Sequence, residues 1–517
     1  MHKLACLGLL VLLPFLLASG CRRNQQPTPG LLVMATEKAP KSIDPRVGND
    51  SVSARLHQLL FNTLVNKNDR LEVVPELATF EVTPDAKVFT FHLKPGVMFH
   101  NGKPLTAEDV KYTFDTLRDP NFNSAKKGDF IKVDVIEAPN PQTVIFRCKE
   151  PNSPMLVSLV AIGIIPKDSG GTAETKPIGT GPFKVADYQV DREITMEAFP
   201  QYFEGAPKLE KVRVRFIPDS AVRELELRQG GVQLAVNADL ASDTVEKLAQ
   251  TANLTVWQST GTNISHLGIN CDDPILKNVK VRQALVHAVN RESFIKNVLR
   301  NMARPAYGPL PPEQWAYPAD LPKLDYDPAL AKKLLDEAGY RDPDGDGPQT
   351  RLKLEIKTSS LPLARQIATV LQEQFKQVGI QLEIRSFEFQ TFLSDVNAGN
   401  FQLYTLTSIG ANQHPDYLSY AFDSSRIPTK EKNYSEGANR SHYRNAEVDG
   451  WLRKAGATLN QEEQKQLYGL AQKKIVEEVP TIFLWYPNNV AIGSNKLTNV
   501  KPDLSGSYTF LRNSTFQ

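Results

Sequence analysis

Between Leu352 and Ile384 the hydrophobic period of the chain changes twice, and this constrains the fold more than any other stretch. Leu352, Leu354 and Ile356 alternate with polar residues, as in a half-buried strand. Ala364, Ile367, Ala368, Leu371, Phe375 and Val378 then recur at helical spacing up to Gly379, and Ile380, Leu382 and Ile384 alternate again. A strand, a helix and a second strand in this order predict a crossover unit of a parallel sheet, and hence an α/β fold.

Other stretches agree. Leu31 to Thr36 reads as a strand, and Asp85 to Leu93 places Phe89, Phe91 and Leu93 on one face. Thr106 stands three residues before Asp109, and Val110, Phe114 and Leu117 follow at helical spacing, which predicts a capped helix. Val281, Ala284, Leu285, Ala288 and Val289 form another stripe, and Asn290 caps a helix carrying Phe294 and Ile295. Asp327-Pro328 opens a helix stopped by Gly339; Asn460 opens the last long one, with Glu463 expected to complete a capping box; Ile482 to Trp485 closes the series as a strand. At 517 residues the chain is too long for one core, so two or three domains are expected. Sixty Lys and Arg against 58 Asp and Glu carry no nucleic-acid signature.

The N-terminus predicts export. Lys3 is followed by the apolar run Leu4 to Leu17, then by Ala18-Ser19-Gly20 and Cys21. Fourteen apolar residues reach only about 21 Å as a helix, short of a bilayer core of roughly 30 Å, so residues 1–20 read as a cleaved leader. A cysteine after small residues resembles a lipobox, which makes Cys21 the expected lipidation site and residues 21–30 a flexible Pro/Gln tether; cleavage by an ordinary signal peptidase after Gly20 is the alternative. Cys148 and Cys271 remain in the body, and pairing or two separate buried thiols are both open.

Catalytic and metal motifs fail on their spacing. Gly96 to Pro104 lacks the hydroxyl residue of a phosphate loop, and Gly179-Thr180-Gly181 lacks the third glycine of a dinucleotide fingerprint. Asp168-Ser169-Gly170-Gly171 reads as a loop. Asp342 to Gly347 begins like a calcium loop, but Lys353 stands where a bidentate glutamate is required. The eight histidines have no metal-ligand spacing. No catalytic residue, no cofactor and no metal site is expected.

Val74-Pro75-Glu76-Leu77-Ala78, Thr90 to Val97 and Phe99-His100-Asn101-Gly102-Lys103-Pro104-Leu105-Thr106-Ala107-Glu108-Asp109-Val110 together resemble the signature of the family 5 extracellular solute-binding proteins, the receptors of peptide- and nickel-type ABC importers. The likeness continues through Gly179-Thr180-Gly181-Pro182-Phe183, Phe216-Ile217-Pro218-Asp219, Val281-Arg282-Gln283-Ala284-Leu285 and Tyr443-Arg444-Asn445. It implies a two-lobed α/β periplasmic-binding-protein fold with a ligand cleft between the lobes. The expected lobe 1 is residues 31–50, 178–267 and 486–517, with residues 51–177 as its inserted subdomain, and the expected lobe 2 is residues 268–485. The implied function is capture of short peptides for an ABC permease and its ATPase, by a monomer lipid-anchored at Cys21 on the periplasmic side of the bacterial cell envelope. A non-peptide ligand (a nickel chelate, sugar, opine or other metabolite) is the alternative.

The resemblance weakens at the ligand. Peptide receptors of this family carry a tryptophan after a strand and, three residues on, an aspartate for the peptide ammonium. Here Ser408 and Ala411 occupy those places. Asp416 is the nearest carboxylate, and His414 and Tyr417 flank it, so Ser408, Ala411, His414, Asp416 and Tyr417 are the expected ligand-facing group. Trp315, Tyr317, Tyr420 and Tyr443 are further candidates for an aromatic cleft.

Overall fold

The computed structural model describes residues 30–237, 240–345, 347–408, 414–430 and 438–517. Cys21 and Ala411 therefore lie outside the described residues.

Two large sheets organise the chain. The first has seven strands in the order Leu254–Ser259, Asn489–Ser494, Leu234–Val236, Leu31–Thr36, Lys211–Phe216, Glu193–Ala198, Phe183–Gln189. Leu32, Met34, Val212 and Val214 pack from one face against Leu56, Leu59 and Leu60 of helix Ser51–Leu60, while Ala35 and Ala235 meet Leu227, Val245 and Leu248 on the other. The second sheet has six strands: Ala303–Pro305, Thr481–Pro487, Ile264–Ile269, Leu403–Ser408, Leu352–Ser359, Ile380–Phe387. Its last three run parallel, with Leu352–Ser359 and Ile380–Phe387 joined through helix Pro362–Lys376 as the crossover pattern predicts. Side-chain alternation then covers both faces. Leu267, Ile269, Leu403 and Ile356 pack with Val281, Leu285, Leu371 and Phe375, and Ile264, Phe483 and Tyr486 pack with Leu418, Leu452 and Ile475.

A smaller antiparallel sheet, Ala78–Val82, Val88–Leu93, Thr143–Cys148 and Val133–Asn140, lies between the first two strands of the seven-stranded sheet in sequence. Phe89, Phe91 and Phe146 face Val110, Phe114 and Leu117 of helix Ala107–Arg118, and the Phe114 and Phe146 rings meet edge to face at 5.1 Å. That helix starts as expected: the Thr106 N–H and hydroxyl donate to Asp109 Oδ2 at 2.8 and 2.7 Å. The last long helix, Gln461–Glu478, departs from expectation. Asn460 accepts from the Glu462 and Glu463 N–H groups, but the Glu463 carboxylate turns to the Thr458 hydroxyl at 2.9 Å instead of closing the box. Cys148 and Cys271 are separate free thiols.

The chain passes between the two large sheets through residues 260–263, and returns at Asn488 between strands Thr481–Pro487 and Asn489–Ser494. These crossings are pressed together: a Cβ at Gly261 would fall 2.1 Å from the Pro487 carbonyl oxygen. A C-terminal loop braces both. Thr262 Oγ1 donates to Leu504 O at 3.4 Å, and Asn489 Nδ2 donates to Asp503 O at 2.7 Å and Leu504 O at 3.1 Å.

Candidate ligand site

The signature motifs meet at the joint between the seven-stranded sheet and the smaller one. Glu76 spends its carboxylate on four donors: Asn62 Nδ2 at 3.0 Å, Thr63 N and Oγ1 at 2.7 Å each, and Asn66 Nδ2 at 3.0 Å. His100 accepts from the Gly179 N–H through Nδ1 at 3.2 Å, so Nε2 carries the proton and donates to Gly181 O at 3.0 Å. Burial lowers this imidazole to about 4, with Lys184 adding to the effect, so it is neutral at neutral pH. Gly179 is required by close packing: a Cβ there would lie 2.0 Å from Leu60 O. These motif residues build the scaffold and leave few polar atoms for a ligand.

Beside this joint lies a cavity of about 390 Å³, lined by His57, Lys67, Glu76, Lys126 and the Asp503–Ser505 loop among others. Lys126 Nζ donates to Pro45 O at 2.7 Å and Ala161 O at 3.0 Å, and burial lowers its ammonium to about 8. Burial does the same to Lys67.

A second cavity, about 320 Å³, opens beside strand Leu403–Ser408 of the six-stranded sheet. His266, Tyr404, Leu406 and Ser408 share the strand face that lines it, because His266 pairs with Leu406 across the ladder. Helices Phe389–Asn397 and Tyr417–Phe422 contribute Phe389, Tyr417 and Tyr420, and Arg440 completes the lining on the polar side. Burial lowers the His266 imidazole to about 4 and raises the Tyr404 phenol to about 12, so both are uncharged at neutral pH.

Of the sequence-expected group, Ser408 and Tyr417 come together: both line the second cavity, and the Tyr417 phenol is hydrogen-bonded to Ser408. His414 and Asp416 stand next to them without lining it. His414 Nδ1 accepts the Asp416 N–H at 3.1 Å, and burial, reinforced by the Lys67 ammonium, lowers the imidazole to about 3. Burial raises the Asp416 carboxyl against the opposing pull of Ser419, Arg426 and Lys132; it holds the N-cap position of helix Tyr417–Phe422. Tyr420 is a cavity residue, whereas Tyr443 is 2% exposed, donates to Glu478 Oε2 at 2.8 Å and belongs to the core. Trp315 and Tyr317 also pack against that core.

Sequence reasoning missed Arg440 and His266. Arg440 sits alone in a polar stretch with no periodicity, and His266 occupies a strand position whose exposure only the ladder decides. No group of three or more His, Cys, Asp or Glu among the described residues is arranged to hold a metal ion, and no described helix is long and apolar enough to cross a membrane.

Comparison with known proteins is consistent over most of the chain. The oligopeptide-binding protein AppA of Bacillus subtilis is 29% identical over 481 residues, spanning 89% of this chain and 87% of that protein. Its structure with a nonapeptide superimposes with a TM-score of 0.74 at 27% identity, covering 95% of this chain and 99% of AppA. NikZ of Campylobacter jejuni in complex with Ni(L-His) gives a TM-score of 0.77 at 25% identity, with 94% of this chain and all of NikZ covered. The sequence pattern of the bacterial extracellular solute-binding proteins, family 5 Middle, matches residues 72–430. With the two cored sheets, the paired crossings and the signature motifs at one joint, the chain belongs to family 5 of the bacterial extracellular solute-binding proteins.

Proposed function

We propose that the protein captures short peptides in a cleft between its two lobes and delivers them to a membrane ABC permease driven by its ATPase. The lobes correspond to the two large sheets with their helices, and the smaller sheet extends the first lobe. The observation that carries this reading is the pair of adjacent crossings at residues 260–263 and Asn488, which join two separately cored bodies. A ligand touching both bodies favours the closed arrangement over the open one by its extra contacts, and shifts the population accordingly. The permease then reads the closed shape. Relatives support the ligand class: AppA is an oligopeptide-binding protein whose structure holds a nonapeptide.

The ligand-facing group is Ser408 and Tyr417 at the second cavity, with His414 and Asp416 beside them; Ala411, expected in the same group, lies outside the described residues. The chain acts as a monomeric receptor with no catalytic step, held at the periplasmic side of the cell envelope by lipid on Cys21. A second reading is favoured by one observation: Ser408 stands where a stacking ring would be, and NikZ, of comparable similarity, holds Ni(L-His). Native mass spectrometry of residues 22–517, gently purified from cells grown in rich medium, separates the two. A heterogeneous set of peptide masses is expected; a single non-peptide mass would move the ligand to the second reading.

A further inference from the structure

The second cavity has an uneven chemistry. Its walls carry the rings of His266, Phe389, Tyr404, Tyr417 and Tyr420 beside four Ser and Thr residues, and among its described lining residues Arg440 alone carries a charge. Arg440 Nε donates to Asn397 Oδ1 at 2.7 Å, which fixes the plane of the guanidinium. Among the described residues, Nη1 and Nη2 make no hydrogen bond. Among the described residues no Asp or Glu lines the cavity, and Phe389 and Tyr420 are 36% and 45% exposed, at its mouth.

A guanidinium among rings loses hydration that an anionic oxygen pair replaces well, because its remaining Nη1–Nη2 edge matches a carboxylate. The rings suit an apolar body, and the Ser and Thr residues between them leave hydrogen-bonding partners for its backbone. About 320 Å³ is at the small end of ligand pockets, which fits one residue of a ligand and not the whole of it. We propose that this cavity is a carboxylate-reading subsite. It takes one residue of the captured ligand whose apolar body ends in a carboxylate, pairs that carboxylate with Arg440, and excludes cationic side chains. The inference rests on the peptide reading above and names which peptides are preferred. The carboxylate is either the peptide C-terminus or an acidic side chain.

The test uses ligand-stripped protein and an equimolar pool of synthetic tri- to pentapeptides in three forms: free acids, C-terminal amides, and free acids with Asn and Gln replacing Asp and Glu. Retained peptides are identified by mass spectrometry. The free acids are expected to be retained about tenfold better than one of the two neutralised forms, the scale of one charge-assisted pair. Loss of that enrichment in the amide arm assigns the C-terminus, and loss in the Asn/Gln arm assigns an acidic side chain. Arg440→Met removes the enrichment and Arg440→Lys keeps part of it. Ser408→Asp, which places a rival carboxylate in the cavity without touching Asn397, removes it too; circular dichroism verifies that each variant is folded. Equal retention of all classes by the wild type, or enrichment that survives in Ser408→Asp and in folded Arg440→Met, overturns the subsite while leaving peptide capture intact. No retention of any peptide by the wild type removes the peptide reading, and the subsite with it.

Discussion

Replacing Gly261 by alanine tests whether the two crossings form a tight bearing. The new methyl would fall 2.1 Å from Pro487 O, 3.3 Å from Pro487 C and 3.5 Å from Asn489 N. To reach ordinary contact with the oxygen, the crossings must part by about 1 Å. The bonds nearest the joint are already long: Thr262 Oγ1 to Leu504 O is 3.4 Å, and Arg304 Nη2 to Gly261 O is 3.5 Å. Parting the strands takes both beyond hydrogen-bond range. Overpacking of this kind costs about 1–3 kcal/mol, and at ~1 °C per kcal/mol for a chain of this length the thermal midpoint should fall by about 1–3 °C. The assay is a circular-dichroism melt at fixed scan rate, run beside Gly450→Ala, whose methyl meets nothing within 4 Å. A Gly261→Ala midpoint indistinguishable from that of wild type would refute the idea that the crossings are packed against each other.

The same packing logic applies at Gly179, where a methyl would meet Leu60 O at 2.0 Å; Gly179→Ala is expected to lower the melting midpoint at least as far, by about 1–3 kcal/mol. Arg282→Met should cost about 3 kcal/mol or more in denaturant titration, because buried Arg282 donates to Glu478 O, Leu276 O and Lys277 O at 2.8–3.0 Å and the variant strands those carbonyls. Acid should destabilise the fold before its carboxylates titrate. Burial holds His57, His100, His266 and His414 neutral, at about 3 to 4 in place of 6.5. The unfolded chain takes up their protons first, so stability falls as the pH drops from 6.5 toward 4, by about 1.4 kcal/mol per pH unit for each histidine. Melts between about pH 7 and pH 5 should show the midpoint falling, with a shallower slope in His57→Gln.

Much of the fold was legible because its signals are local. Leu31 to Thr36, the strand pair around helix Pro362–Lys376, and the caps at Thr106, Asn290 and Asp327 depend on residues within one or two turns, and each forms as the spacing predicts. Glu463 shows the limit of such rules: a nearby hydroxyl outcompeted the capping geometry. The motif around His100 was legible as a family signature but not as a mechanism, since its partners at Gly179 and Gly181 are about 80 residues away in sequence. The same holds for the second cavity. Ser408 was expected near the ligand from the family's register and Tyr417 from its place beside Asp416, but Arg440 and His266 reach them through ladder pairing and long-range packing, which no periodicity encodes.

Capture by closure of two lobes around a peptide is tested most directly by small-angle X-ray scattering of the ligand-stripped protein. Addition of the free-acid peptide pool should reduce the radius of gyration, and the Gly261→Ala variant should close less completely. An unchanged radius of gyration at saturating peptide, with binding verified by mass spectrometry in the same sample, would contradict the account.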